Sequence, residues 1–139
     1  MKIVLKDKRR YLIRFDKGEN VVSGLADVVT QEKLTACVFF GGGSVSEIEL
    51  GYFNKNLKDY RKKPYYDDME LISFSGNGAF FEGKPVIHCY GQFGHTDFTT
   101  LGGRVFKMVV SSSVEIFLIA LDGQATRQTN PDFNLDLLV

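Results

Sequence analysis

Only one stretch of this chain carries a helical pattern, and that limits the fold more than any other feature. Val21, Val22, Leu25, Val28 and Val29 recur at the spacing that puts their side chains on one face of a helix. Asn20 stands where a cap would accept the first free backbone N–H groups. Asp27, Gln31 and Glu32 fall on the wet side, so a helix is expected over about residues 20–32. Nearly everything else reads as strand punctuated by glycine.

Tyr11 to Phe15 (YLIRF), after Lys8, Arg9 and Arg10, reads as the first strand, and Asp16-Lys17-Gly18 as a turn. Ala36 to Phe40 (ACVFF) is a continuous apolar run that suits a strand buried on both faces. Gly41, Gly42 and Gly43 interrupt it. A phosphate-cradling loop would need a Lys-Ser or Lys-Thr pair and a helix to follow, and neither does, so these glycines are expected to bend the backbone or admit a close neighbouring chain. Val45 to Phe53 alternates, with Ile48, Leu50 and Tyr52 on one face and Glu47, Glu49 and Gly51 on the other. Glu70 to Ser75 and Gly78 to Phe81 read as short strands around a turn at Gly76-Asn77, and Glu82-Gly83-Lys84-Pro85 as a second turn. Val86 to Phe93 is the next strand, with His88 and Tyr90 on one face. Thr96 to Thr100 reads as a loop, Val105 to Val110 and Val114 to Leu121 as the last long strands, and Leu135 to Val139 closes the tail. One helix and about seven or eight strands make an α+β domain, mainly antiparallel sheet, over residues 1–139.

Lys plus Arg and Asp plus Glu each number 17, so the formal net charge is zero. A protein built mainly to coat nucleic acid needs an excess of cations. The most basic segment, Asn54 to Lys63, holds Lys55, Lys58, Arg61, Lys62 and Lys63. It reads as a solvated loop, with a nucleic-acid contact as the alternative. Cys37 and Cys89 lie in apolar strand-like runs, as buried free thiols of a cytoplasmic protein do. No apolar run approaches a signal peptide or a membrane span.

Several segments together resemble the plants-and-prokaryotes-conserved (PPC) domain: DKGENVVSGL after the opening strand, the apolar strand into GGGSVSEIELGYF, then MELISFSGNGAFFEGKPVIH, LGGRV and SSSVEIFLIAL. The resemblance runs from about Arg9 to Val139. It implies a compact α+β domain that assembles as a homotrimer, and a fold similar to that of acetolactate decarboxylase. In plants such a domain is joined to a DNA-binding AT-hook, whose Arg-Gly-Arg core is absent from this sequence. The leading expectation is a non-enzymatic homotrimeric binding or assembly module, with a protein partner or DNA as further partners. Its shared faces are expected from Phe93, Phe98, Val105 and Phe117.

The family commonly shows His-x-His on one strand and a third histidine after a Gly-Gly pair, a layout comparable to the three histidines with which acetolactate decarboxylase holds zinc, leaving the metal an open position. By the resemblance the first position is His88, but the second is Tyr90 and the third Arg104. A phenol is a poor zinc ligand until its proton is lost, and a guanidinium repels a cation. No zinc or other cofactor is therefore expected, although His95 is a further imidazole nearby in sequence. His88, Tyr90 and Arg104 could instead form a cationic pocket for a carboxylate or phosphate, whether binding or lyase-like. The plainer alternative pairs Arg104 with Glu115 or Glu70. Ser111 to Ser113 lack a nucleophile-elbow motif, and Asp67, Asp68 and Glu70 read as a solvated turn.

Overall fold

The computed structural model describes all residues, Met1 to Val139. Nine strands and one helix follow in the order β1 (Lys2–Asp7), β2 (Arg10–Asp16), α1 (Val21–Gln31), β3 (Cys37–Asn54), β4 (Asp59–Tyr65), β5 (Met69–Phe81), β6 (Lys84–Gly94), β7 (Thr100–Ala120), β8 (Arg127–Asn130) and β9 (Leu135–Leu138). The main sheet has seven antiparallel strands in the order β1-β2-β7-β6-β5-β3-β4, and β8 and β9 form a separate hairpin. Because β3 also pairs with β7, strands β3, β5, β6 and β7 close a ring of pairings. The fold is α+β with sheet dominating.

The helix forms where the apolar spacing places it. The Asn20 side chain caps it by accepting from the Val22 N–H at 3.2 Å. Val21, Leu25, Val28 and Val29 are buried against β6 and β7. The remaining core comes from inward residues of the ring, among them Phe39, Ile48, Phe74, Phe93, Met108 and Ile116. No polar or charged residue is buried with them, and both cysteines are free thiols in this interior.

Several expected boundaries differ, mostly because glycine and serine runs lie inside strands. The triple glycine bends β3 without ending it. A bulge falls between Gly41 and Gly43, and a Cβ on Gly41 would sit 2.2 Å from the Glu115 carbonyl oxygen. Gly76-Asn77 is not a turn but the middle of β5, where a Cβ on Gly76 would sit 2.2 Å from the His88 carbonyl oxygen. Ser111 to Ser113 likewise continue β7, which runs for 21 residues. The basic segment is not a loop throughout: only residues 55–58 turn, and Asp59 onwards is a strand paired with β3. The alternation in β3 also fails at its end, where Tyr52 is exposed and Gly51 buried.

Strand β1 has no counterpart in the sequence reading. It is an edge strand with only Ile3 half-buried, so it carries no alternating apolar signal. Phe93 and Val105, expected on a shared face between subunits, are instead fully inside the core, whereas Phe98 is exposed and Phe117 half-buried. No helix is long and apolar enough to cross a membrane.

Candidate functional site

Cross-strand partners share a face of a sheet, so register alone assembles a row of side chains outside the ring. Lys62 of β4 lies opposite Gly51 of β3, Gly51 opposite Arg104 of β7, Arg104 opposite Tyr90 of β6, and Tyr90 opposite Ser75 of β5. One step along β6, His88 lies opposite Asn77. Inward neighbours Ile87 and Cys89 are buried, while Tyr90 is exposed and His88 half-buried.

The structure brings His88 and Arg104 into contact: Arg104 Nη2 lies 3.0 Å from His88 Nε2. A guanidinium only donates, so His88 Nε2 is the acceptor and the imidazole proton sits on Nδ1. The Arg104 guanidinium also stands over the rings of Tyr60 and Phe106, 4.7 and 4.6 Å from their centroids. The room for the Phe106 ring comes from Gly51, where a Cβ would lie 2.3 Å from it. Arg104 has no carboxylate partner, and its Nε is buried with no acceptor. The expected ion pair with Glu115 or Glu70 does not form. Glu115 lies opposite Arg14 on β2, and Glu70 lies opposite Gly94 at the far end of β5.

A second arginine, not foreseen in the sequence, completes the neighbourhood. Arg127 of β8 donates through Nη2 to Asn77 Oδ1 at 2.8 Å and through Nη1 to the Asp136 carbonyl at 2.7 Å. It too lacks a carboxylate, and its Nε is also buried without a partner. Burial pushes the His88 imidazole down to about 4, and the charges of Arg104 and Arg127 push the same way. Burial and the Arg104 charge lower Arg127. His88 is therefore neutral at pH 7 and flanked by two permanent cations.

The basic segment divides. Lys62 joins the row, its Nζ 4.1 Å from the centroid of Phe106, while Lys63 stands 5.0 Å from that of Tyr65. Arg61 is exposed on β4, and Lys55 and Lys58 lie on the turn before it. An open groove of about 470 Å³, lined by Ser73, Ser75, Tyr90, Gly91, Gln92, Gly102 and Gly103, adjoins Arg104 through Tyr90. His95 is elsewhere, in a cleft of about 340 Å³ with Asp68, Glu70 and Phe98. It does not re-enter beside His88.

No three His, Cys, Asp or Glu side chains converge where a metal could be held. The donor set around His88, a phenol and two guanidinium groups, does not fit zinc. Neither thiol offers a nucleophile: burial pushes Cys37 up to about 11 and Cys89 to about 12.

The family model of the Plants and Prokaryotes Conserved (PCC) domain matches residues 4–122. The chain belongs to this family. It is the PPC family of the sequence resemblance, and the match leaves Arg127 and Asp136 beyond its end. Among solved structures, a plant- and prokaryote-conserved protein of Pyrococcus horikoshii is 27% identical with a TM-score of 0.90, covering 100% of this chain and 97% of its own. A metal-containing protein of Archaeoglobus fulgidus is also 27% identical, with a TM-score of 0.89 and coverage of 100% and 99%. A candidate DNA-binding protein of Ralstonia eutropha JMP134 is 26% identical, with a TM-score of 0.91 and coverage of 97% and 94%. A Staphylococcus aureus protein of unknown function similar to alpha-acetolactate decarboxylase shares the fold alone, at 13% identity and a TM-score of 0.54. No curated protein matches the chain. Within this PPC chain the sequence could have flagged Asn77 through its place opposite His88, had β5 been read as one strand. Arg127 had no sequence signal, because only the folding back of the tail brings it to β5.

Proposed function

We propose that this PPC-domain protein is a self-associating, non-enzymatic binding module whose outer sheet face holds a small anion at Arg104 and His88. The observation that carries the reading is the half-buried Arg104 guanidinium, its Nε shut off from water without an acceptor and its Nη2 held on a neutral imidazole, with no carboxylate paired to it. Structural arginines are ordinarily paired when withdrawn from water. The neutral thiols, and a His88 ring whose side-chain hydrogen bond is to Arg104 and not to a carboxylate, favour binding over catalysis.

Calorimetric titration of the full chain with inorganic phosphate and with acetate tests it. Arg104→Ala should weaken binding of both by about 10- to 100-fold, the worth of a charge-assisted hydrogen bond. Unchanged affinity would remove Arg104 from the site.

Self-association draws on an apolar patch on the same outer face. Phe40, 54% exposed, stacks on Phe117 with centroids 5.4 Å apart, and it lies opposite Ser75 in the row that leads to Arg104. A second copy covering this patch would lie beside the anion site. Light scattering should return three chain masses at micromolar concentration, and Phe40→Asp should lower that mass. A monomeric wild type would contradict the assembly.

DNA is the second reading, favoured by the exposed cations of β4 and by the description of the Ralstonia relative. It requires duplex binding that weakens steeply with salt.

A further inference from the structure

The reading above uses one guanidinium; the geometry points to two. We propose that the C-terminal hairpin completes the site by delivering Arg127, and that the completed site takes a phosphate dianion held between Arg104 and Arg127 across His88. This rests on the anion-binding reading and goes beyond it in naming a ligand class and a further residue.

Strand β6 lies between β5 and β7; His88 pairs with Asn77 of β5 and sits just past Tyr90, where the pairing of β6 with β7 ends. Arg104 reaches it from β7, at 3.0 Å. Arg127 arrives over β5, bonded to Asn77, the strand partner of His88. The hairpin that carries it is tied down at both ends. The Phe80 N–H donates to the Ala125 carbonyl at 2.9 Å, and Asn134 Nδ2 donates to the Lys58 carbonyl at 3.0 Å. Arg127 is therefore positioned by hydrogen bonds within the protein that do not depend on a ligand.

The charges of this arrangement are only partly balanced: the Asp136 carboxylate favours the charged forms of His88 and Arg127 from a distance but makes no ion pair with either arginine. Asp136 is the acidic residue of the hairpin beside Arg127, yet it gives Arg127 only its main-chain carbonyl. Its carboxylate accepts instead from Thr129 Oγ1 at 2.7 Å. The charged or titratable groups around His88 are thus Arg104, Arg127, Asp136 on the hairpin, Tyr90 on its own strand and Tyr60 from β4. Two cations with buried, unpaired Nε atoms repel one another across a neutral ring. A monocarboxylate would neutralise one of them. A phosphate dianion carries two charges and enough oxygens to meet both planar forks. The hydroxyls of Ser73 and Ser75 and the Gln92 amide line the adjoining groove, which suits the polar body of a small phosphate monoester.

The test is calorimetry on the full chain at pH 8 with inorganic phosphate, glycerol phosphate and acetate, for wild type, R104A, R127Q and R127K. Glutamine keeps N–H donors for Asn77 and the Asp136 carbonyl but removes the charge; lysine restores it. Phosphate should bind at least ~10-fold tighter than acetate. R127Q should lose about 10- to 100-fold for phosphate while leaving acetate unchanged, with R127K recovering part of the loss. Glycerol phosphate binding tighter than inorganic phosphate would assign the groove to the ester's body, and equal binding would assign the site to free phosphate. Unchanged phosphate affinity in R127Q, with R104A weakened, would overturn the inference and leave the simpler site standing. Unchanged affinity in both would overturn both. Equal loss in R127Q and R127K with a lowered melting temperature would overturn the ligand role and assign Arg127 to hairpin docking.

Discussion

Adjacent residues of β6 and β7 face two different environments. Ile87, Cys89 and Phe93 point into the ring with Val105, and His88, Tyr90 and Arg104 point out of it. The interior holds no buried polar or charged residue, and the outer row holds nearly all the candidate chemistry. Neighbours Cys89 and His88 show the contrast in one step. Burial is the largest influence on both and in each case disfavours the charged form, pushing the thiol up to about 12 and the imidazole down to about 4. The thiol is silenced by its surroundings, while the imidazole becomes a neutral acceptor for a guanidinium. Stability should therefore follow the inward residues and binding the outward ones.

The largest expected effect breaks the inward side. Phe93 is fully buried, and Phe93→Ala leaves a cavity that the rigid ring cannot close, costing about 3–5 kcal/mol of stability. Urea unfolding measures it, and anion affinity of the protein that stays folded should not move. A loss under ~1 kcal/mol, or a parallel loss of anion affinity, would mean that the two faces are not separable.

The next effect uses pH to sharpen the outward side. The imidazole pKa of His88 is lower in the folded state than the ordinary 6.5, so between pH 6.5 and about 4 the unfolded chain binds the proton and the folded chain does not. This contribution to stability is intact above pH 6.5 and is lost as pH falls toward 4. Urea unfolding at pH 7.5 and pH 5 should show a larger acid loss for wild type than for His88→Gln. Phosphate bound between the two arginines would favour imidazolium, so it should reduce the difference. An acid loss that is equal in the two proteins would place the linked proton elsewhere.

How much of this the sequence disclosed follows from the same division. Apolar spacing located the helix and its Asn20 cap, because burying Val21, Leu25, Val28 and Val29 is a local constraint. The alternation in β6 put His88 and Tyr90 on one face for the same reason. Strand ends were misplaced at Gly41–Gly43, Gly76-Asn77 and Ser111–Ser113, where glycine and small residues usually mark turns. Here they let chains approach or bend within a strand, and the approaching chain is distant in sequence. Asn77 was hidden by the same misplaced strand end, and Arg127 was invisible because a hairpin folding back by 50 residues leaves no periodic trace.

The smallest expected effect asks how far along the row the site extends. Lys62 shares the Phe106 ring with Arg104, but its ammonium is on an exposed strand and water screens it. An exposed charge of this kind is worth about 0.5 kcal/mol, so Lys62→Ala should weaken phosphate binding by only about two- to threefold. Its contribution should vanish at high salt while that of Arg104 persists, because Arg104 is half-buried and stacked against Tyr60 and Phe106. If Lys62→Ala cost more than Arg104→Ala, the anion would sit on β4 rather than at His88. Lys62 on one face of β4 and Arg61 and Lys63 on the other would then flank this edge strand with cations, which a nucleic-acid backbone could contact.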